Sequence, residues 1–78
     1  MKAAEISERI LGLLPDAKVV PEGEECNFSV LVISASFAGQ NPLQRQRPIL
    51  ALFREEIASG ALHALSIKAR TPEEEAAS

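Results

Sequence analysis

The fold of this chain is decided by residues 27–34, which read NFSVLVIS. Apolar residues occupy every second position of this stretch: Phe28, Val30 and Val32. A period of two predicts a β-strand with one buried face, and residues 62–69, which read LHALSIKA, predict another strand on the same grounds. A helical pattern separates the two. Because a strand-helix-strand unit joins parallel strands by a right-handed crossover, we expect these strands to lie parallel.

The crossover between the strands is predicted to contain two helical pieces. Asn41 has the character of an N-cap, and the proline after it suits the first helical position. Pro48 disfavours the helical conformation at the residue before it and removes one helical hydrogen bond. We therefore predict a short turn of helix over 43–46 and a main helix over 48–59, ended by Gly60. The main helix has an apolar face made of Ile49, Leu50, Phe53 and Ile57.

The flanking segments complete a small mixed sheet. Apolar spacing predicts a helix over 3–14, and residues 17–21 predict a strand that pairs antiparallel with 27–34 through an acidic turn at 22–25. After the last strand, residues 71–74 have the spacing of a capping box, but so few residues follow that we expect this end to fray. The predicted fold class is α/β (α+β), in the order α-β-β-α-α-β-α. We expect a three-stranded mixed sheet with helices on one face, in a single domain over 1–78.

Length and composition argue against several classes of function. The chain has 78 residues and a formal net charge of −3, without a long basic run, so phosphate neutralisation is a poor basis for binding nucleic acid. No apolar run approaches the roughly 20 residues needed to span a bilayer as a helix. The single cysteine cannot form an internal disulfide, which favours a reducing compartment and predicts a cytoplasmic protein. No glycine-rich phosphate loop or nucleophile motif is present, and we predict that the chain is not an enzyme.

One cysteine and one histidine are candidate metal ligands. Cys26 immediately precedes the strand at 27–34, and His63 lies at the start of the strand at 62–69. If these strands are parallel neighbours, both residues lie at the same edge of the sheet. Zinc and iron–sulfur clusters normally need four ligands, so this chain can supply only part of such a site. Either another molecule supplies the remaining ligands, or the pair binds no metal.

Two arginines are candidate contacts with a partner. Arg45 and Arg47 alternate with glutamines just before the main predicted helix. Guanidinium groups suit a phosphate or a carboxylate of a binding partner, and the same pattern is also typical of a solvated helix start.

Three segments of the chain, in this order, resemble the BolA-like proteins. They are residues 26–34 (CNFSVLVIS), the pattern Phe37-x-Gly39-x-x-x-Leu43-x-Arg45-x-Arg47, and residues 62–72 (LHALSIKARTP). The resemblance runs from about residue 5 to residue 74, and its most specific part starts at His63. It implies a fold similar to class II KH domains, in agreement with the order derived from periodicity. The chain departs from the usual family ending, which continues with an aromatic residue and a longer basic helix.

The resemblance also implies a function. BolA-like proteins are partners of monothiol glutaredoxins in [2Fe–2S] cluster trafficking and in iron, redox and stress regulation. The cluster is shared with the glutaredoxin and glutathione. The family's histidine ligand falls on His63, and its second ligand falls most nearly on Cys26. Because the partner supplies the other ligands, we expect no cluster in the isolated chain. We expect the chain alone to be a monomer or a weak dimer.

Two other functions remain open at this point. A KH-like regulator that binds nucleic acid weakly is one, although residues 39–42 lack the second glycine of the GXXG loop with which KH domains clamp the backbone. The other is an interaction module that uses the exposed face of its sheet without a metal.

Overall fold

The computed structural model describes residues 1–24 and 27–77. The elements follow one another as α1 (Ala3–Leu13), β1 (Lys18–Glu24), β2 (Asn27–Ile33), a 3₁₀ turn (Ala35–Phe37), α2 (Pro42–Ala51), α3 (Arg54–Ser59), β3 (Ala64–Arg70) and α4 (Pro72–Ala77). The predicted order of helices and strands is confirmed. Within the described residues, no helix has the length and apolar character needed to cross a membrane.

The sheet has the mixed topology that the sequence predicts. Its strand order is β1-β2-β3, with β1 antiparallel to β2 and β2 parallel to β3. β1 extends to Glu24, beyond its predicted end, because Glu22 and Gly23 pair with Ser29 and Phe28 of β2. The prediction of an acidic turn over 22–25 is therefore wrong for residues 22–24, which belong to β1, and residue 25 lies outside the described residues.

Helices cover one face of the sheet, and the core lies between them. The register aligns Val30 with Ile67 across the parallel pair, and both side chains are buried. On the opposite face, Ser29, Ser66 and Lys68 are exposed. The core consists of Ile6, Ile10, Phe28, Val30, Val32, Phe37, Ile49, Phe53, Leu62 and Ile67.

The helix break in the crossover lies later than predicted. α2 begins at an Asn41 capping box and continues through Pro48 to Ala51, and the backbone turns at Leu52 and Phe53 before α3. Pro48 is tolerated because the carbonyl that loses its partner belongs to Gln44, an exposed residue whose carbonyl water can satisfy. The prediction of separate helices over 43–46 and 48–59 is wrong at this point.

Two tertiary contacts explain the actual break. Arg9 donates from Nη1 to the Leu52 carbonyl oxygen at 3.0 Å, so this carbonyl has a partner outside the helix. Phe53 is fully buried, and the Arg9 guanidinium lies over its ring, 5.4 Å from the centroid. The helix is therefore interrupted at Leu52 and Phe53, where the Phe53 side chain packs into the core. Ile57, predicted on the same apolar face, lies beyond the bend and is 43% exposed.

The end of the chain is ordered into α4 and not frayed as expected. The Thr71 backbone N–H donates to Glu74 Oε1 at 2.8 Å, and the Glu74 N–H donates to Thr71 Oγ1 at 3.2 Å. This reciprocal pair is the predicted capping box. A buried arginine, Arg45 of α2, also binds Glu74 and holds α4 against the rest of the molecule.

Candidate functional site

His63 lies at the edge of the sheet where the two parallel strands begin. β2 starts at Asn27 and β3 at Ala64, and these two residues are partners in the register. His63 directly precedes Ala64 and is exposed. Its side chain makes no hydrogen bond or ion pair with any described residue, so the imidazole nitrogens are available to a ligand or partner.

The backbone next to His63 is anchored in the core. Leu62 is fully buried, and its N–H donates to the Glu56 carbonyl oxygen at 2.9 Å. On the other side, Ala64 enters the sheet. Because the backbone on both sides of His63 is fixed, binding of the imidazole costs little backbone conformational freedom, which suits a ligating residue.

Cys26, the second predicted ligand, lies outside the described residues. Its neighbour Asn27 is the register partner of Ala64, which places the start of β2 beside the residue that follows His63. The shared edge of Cys26 and His63 stays a prediction. In the two described segments, no three residues of the types His, Cys, Asp and Glu group as a metal site would require. His63 therefore fits a site to which the chain contributes part of the ligand set.

Arg45 is used inside the molecule. Its Nε donates to the Gln40 carbonyl oxygen at 2.9 Å, and its Nη1 donates to the Ala69 carbonyl oxygen at 3.0 Å. Nη1 also lies 2.7 Å from Glu74 Oε1, and the guanidinium is 5.7 Å from the centroid of Phe37. With 9% of the residue exposed, Arg45 is buried, and this placement argues against the predicted contact role. Arg47 is exposed, and its contact role stays a prediction.

Two carboxylates have depressed pKa values because arginines bind them. The hydrogen bond from Arg45, together with the Thr71 N–H, lowers the pKa of Glu74 to about 2. The hydrogen bond from Arg9 at 2.6 Å lowers the pKa of Glu56 and raises that of Arg9. These pairs join α2 to α4 and α1 to α3. They are structural and lie outside the candidate ligand site.

A second surface feature was missed by the sequence analysis. A groove of about 400 Å³ lies along α2 and α3, and we call it the α2–α3 groove. It is lined by Arg47, Leu50, Ala51, Arg54, Ile57 and Ala58. The spacing of three and four residues between its larger members was a usable signal, but the sequence places Ile57 on one apolar helix face together with the buried Ile49 and Phe53.

The comparison with known families identifies the group of proteins to which this molecule belongs. A family model described as BolA-like protein matches residues 14–74, which include β1, the crossover and β3. The chain belongs to the BolA-like family. The resemblance predicted from the three sequence segments is confirmed.

Relatives and solved structures support the same assignment. The BolA-like chain is 55% identical over 53 residues to BolA-like protein 1 from Pongo abelii, a match that covers 68% of this chain and 38% of that protein. It is 34% identical over 74 residues to an uncharacterised protein of the rpoN-murA intergenic region of Acinetobacter guillouiae, covering 95% of this chain and 89% of the relative. The structure of BolA1 from Arabidopsis thaliana matches with a TM-score of 0.80 at 35% identity, covering 92% and 93% of the two chains.

The coverage values differ in an informative way. The chain spans 38% of the length of the mammalian BolA-like protein 1 it matches, so those relatives contain much sequence without a counterpart here. It covers 93% of the Arabidopsis structure, so the BolA-like fold itself is shared almost in full.

Proposed function

We propose that this BolA-like chain is a non-enzymatic partner of a monothiol glutaredoxin in [2Fe–2S] cluster trafficking or in iron and redox regulation. The observation that carries the proposal is the exposed His63, which has no partner among the described residues and lies on an anchored backbone at the edge where β2 and β3 begin. Membership of the BolA-like family supports it. The remaining ligands would come from the glutaredoxin, from glutathione and, as the second ligand of this chain, from Cys26.

The chemistry of an imidazole ligand explains what such a partnership would achieve. The shared cluster, when bound, would supply one-electron redox chemistry and a transferable iron–sulfur unit. Replacing thiolate ligands by histidine raises the reduction potential of a [2Fe–2S] centre. His63 would have to ligate in its neutral form, because a metal ligand must be deprotonated.

The arrangement of the chain favours a partner role over catalysis. His63 lies on an open edge, and the two carboxylates with lowered pKa values, Glu56 and Glu74, are bound by arginines elsewhere. Perturbed pKa values are a sign of a catalytic site only when the groups converge in a cleft with a suitable reactive residue. Here they stabilise the packing of helices.

The decisive experiment is reconstitution of the mixed complex. His63→Ala and wild-type chains are each incubated with a monothiol glutaredoxin, glutathione, iron and sulfide, and visible absorption and circular dichroism are recorded. We expect His63→Ala to lose the spectrum of the mixed complex and to leave that of the glutaredoxin homodimer. Ser66→Ala, at an exposed position of β3 three residues after His63, is the matched control and should behave as wild type.

Two further variants separate the ligand role from other causes. His63→Cys should restore a cluster with a shifted spectrum, because a thiolate replaces the imidazole. Cys26→Ala tests the second ligand on its own. If His63→Ala gives the wild-type spectrum while its unfolding transition is unchanged, the ligand role of His63 is refuted.

A further inference from the structure

The α2–α3 groove exposes apolar surface that the core does not use. Ile57 is 43% exposed, Leu43, one turn before Arg47 on α2, is 58% exposed, and Ala51 and Ala58 are also exposed. Leu50 is half-buried and forms the link between the groove and the core. Single exposed aliphatic residues are ordinary, but a contiguous apolar patch with a polar rim is typical of an interaction surface.

The rim of the groove is cationic. Arg47 and Arg54 line it, and neither has an ion-pair partner among residues 1–24 and 27–77. Arg9 and Arg45, by contrast, bind Glu56 and Glu74. The chain has a formal net charge of −3. Arg47 and Arg54, which have no ion-pair partner among the described residues, therefore make the rim of the groove a region of positive charge on an acidic protein.

We propose that the α2–α3 groove docks an acidic amphipathic helix of a partner protein. The aliphatic side chains of that helix would cover Leu50 and Ile57, and its carboxylates would pair with Arg47 and Arg54. The groove runs along two successive helices, the geometry in which an apolar helical stripe is recognised through residues at i, i+3, i+4 and i+7. The proposal does not depend on cluster ligation at His63.

A nucleic acid suits this groove less well than an acidic helix. Single-stranded nucleic acid is held by bases that stack on aromatic side chains, but the three phenylalanines, Phe28, Phe37 and Phe53, are all buried. The chain contains no tryptophan or tyrosine. Two arginines also allow few phosphate contacts, and phosphate contacts supply most non-specific affinity.

The test uses a synthetic probe of the proposed chemistry. The probe is a fluorescein-labelled amphipathic peptide of about 18 residues, with leucines at i, i+3 and i+4 on one face and glutamates beside them. Binding to the wild-type chain is measured by fluorescence anisotropy, and the site is mapped by ¹⁵N amide shifts. We expect shifts confined to α2 and α3, and weaker binding at higher salt.

Four variants decide the outcome. Arg47→Glu/Arg54→Glu should weaken peptide binding about tenfold or more, because two exposed charge pairs are replaced by repulsion. Ile57→Asp should weaken it as well, whereas Lys68→Glu, a single charge reversal on the open sheet face, should leave it unchanged. His63→Ala should bind the peptide as wild type, so failure here is distinct from failure of the cluster proposal. Urea unfolding of each variant confirms that the fold is intact.

The same assay includes a comparison ligand. A labelled DNA duplex is titrated at physiological salt. If the duplex binds more tightly than the peptide and loses affinity in Arg47→Glu/Arg54→Glu, the groove is a nucleic-acid site, and the proposal is overturned. Amide shifts outside α2 and α3, or no binding of the peptide, overturn it as well.

Discussion

At the scale of single residues, Arg45 and Arg47 show how closely spaced arginines acquire different roles. Arg45 donates to the Gln40 and Ala69 carbonyl oxygens from a buried position, whereas Arg47 is exposed. Arg45→Ala should lower the free energy of unfolding by about 1–3 kcal/mol, because two carbonyls lose their partner in a partly buried setting. Arg47→Ala, the matched control, should change it by less than about 0.5 kcal/mol. Urea denaturation measures both, and equal effects would refute the structural role of Arg45.

The sequence could not separate these two residues. Both arginines follow a glutamine in one amphipathic stretch, and both fit a solvated helix start or a phosphate contact. What distinguishes them is the distant partner Glu74, which lies 29 residues from Arg45 in the chain. For His63 the position was predictable, because the strand pattern alone places it beside the start of β3. Whether His63 has a partner depends on tertiary contacts, and the structure shows none within residues 1–24 and 27–77.

At the scale of elements, local signals identified the elements, and tertiary contacts set their bounds. The Asn41 capping box marks the start of α2, and Gly60, with φ of 85°, ends α3 as predicted. Pro48 predicts a break before it, but the actual break lies at Leu52 and Phe53, because Phe53 is buried in the core. Local propensity cannot show that the core requires an aromatic side chain at that point.

The attachment of α4 should depend on pH. Glu74 has its pKa lowered from 4.5 to about 2 by Arg45 and the Thr71 N–H, so the unfolded chain binds more protons between these values. Stability from this contact is fully present above about pH 4.5 and is lost as the pH falls through about 2. We expect Glu74→Gln to remove this part of the acid dependence when urea denaturation is followed from about pH 5 down to about pH 2. Glu73→Gln, the neighbouring exposed residue, is the control.

An NMR titration gives an independent check of the same prediction. The carboxyl ¹³C resonance of Glu74 should titrate well below those of exposed glutamates, whose pKa values are about 4.3. A normal midpoint for Glu74 would show that Arg45 does not hold it in solution.

At the scale of the whole molecule, the sheet has one covered face and one open face, and this asymmetry was readable from the sequence. The alternation in 27–34 separates Phe28, Val30 and Val32 from the residues between them, and all three are buried. The parallel pairing of β2 and β3 followed from the crossover, a connection whose handedness and direction are nearly invariant. The α2–α3 groove could not be predicted in the same way. Its apolar surface depends on the bend at Phe53, beyond which α3 has no buried residue and Ile57 is exposed.

The asymmetry of the sheet can be tested with one residue type on its two faces. Ile67 of β3 belongs to the core, whereas Ile33 of β2 is half-buried and lies outside the core cluster, on the opposite face of the sheet. Ile67→Ala should lower the free energy of unfolding by about 2–4 kcal/mol, since it removes buried methylenes and leaves a cavity. Ile33→Ala should cost about 1 kcal/mol, because the side chain is already partly in contact with water and no enclosed cavity forms. Equal costs in urea denaturation would mean that something covers the open face in solution, and a fall in the Ile33→Ala cost on dilution would identify that cover as a second copy of the chain.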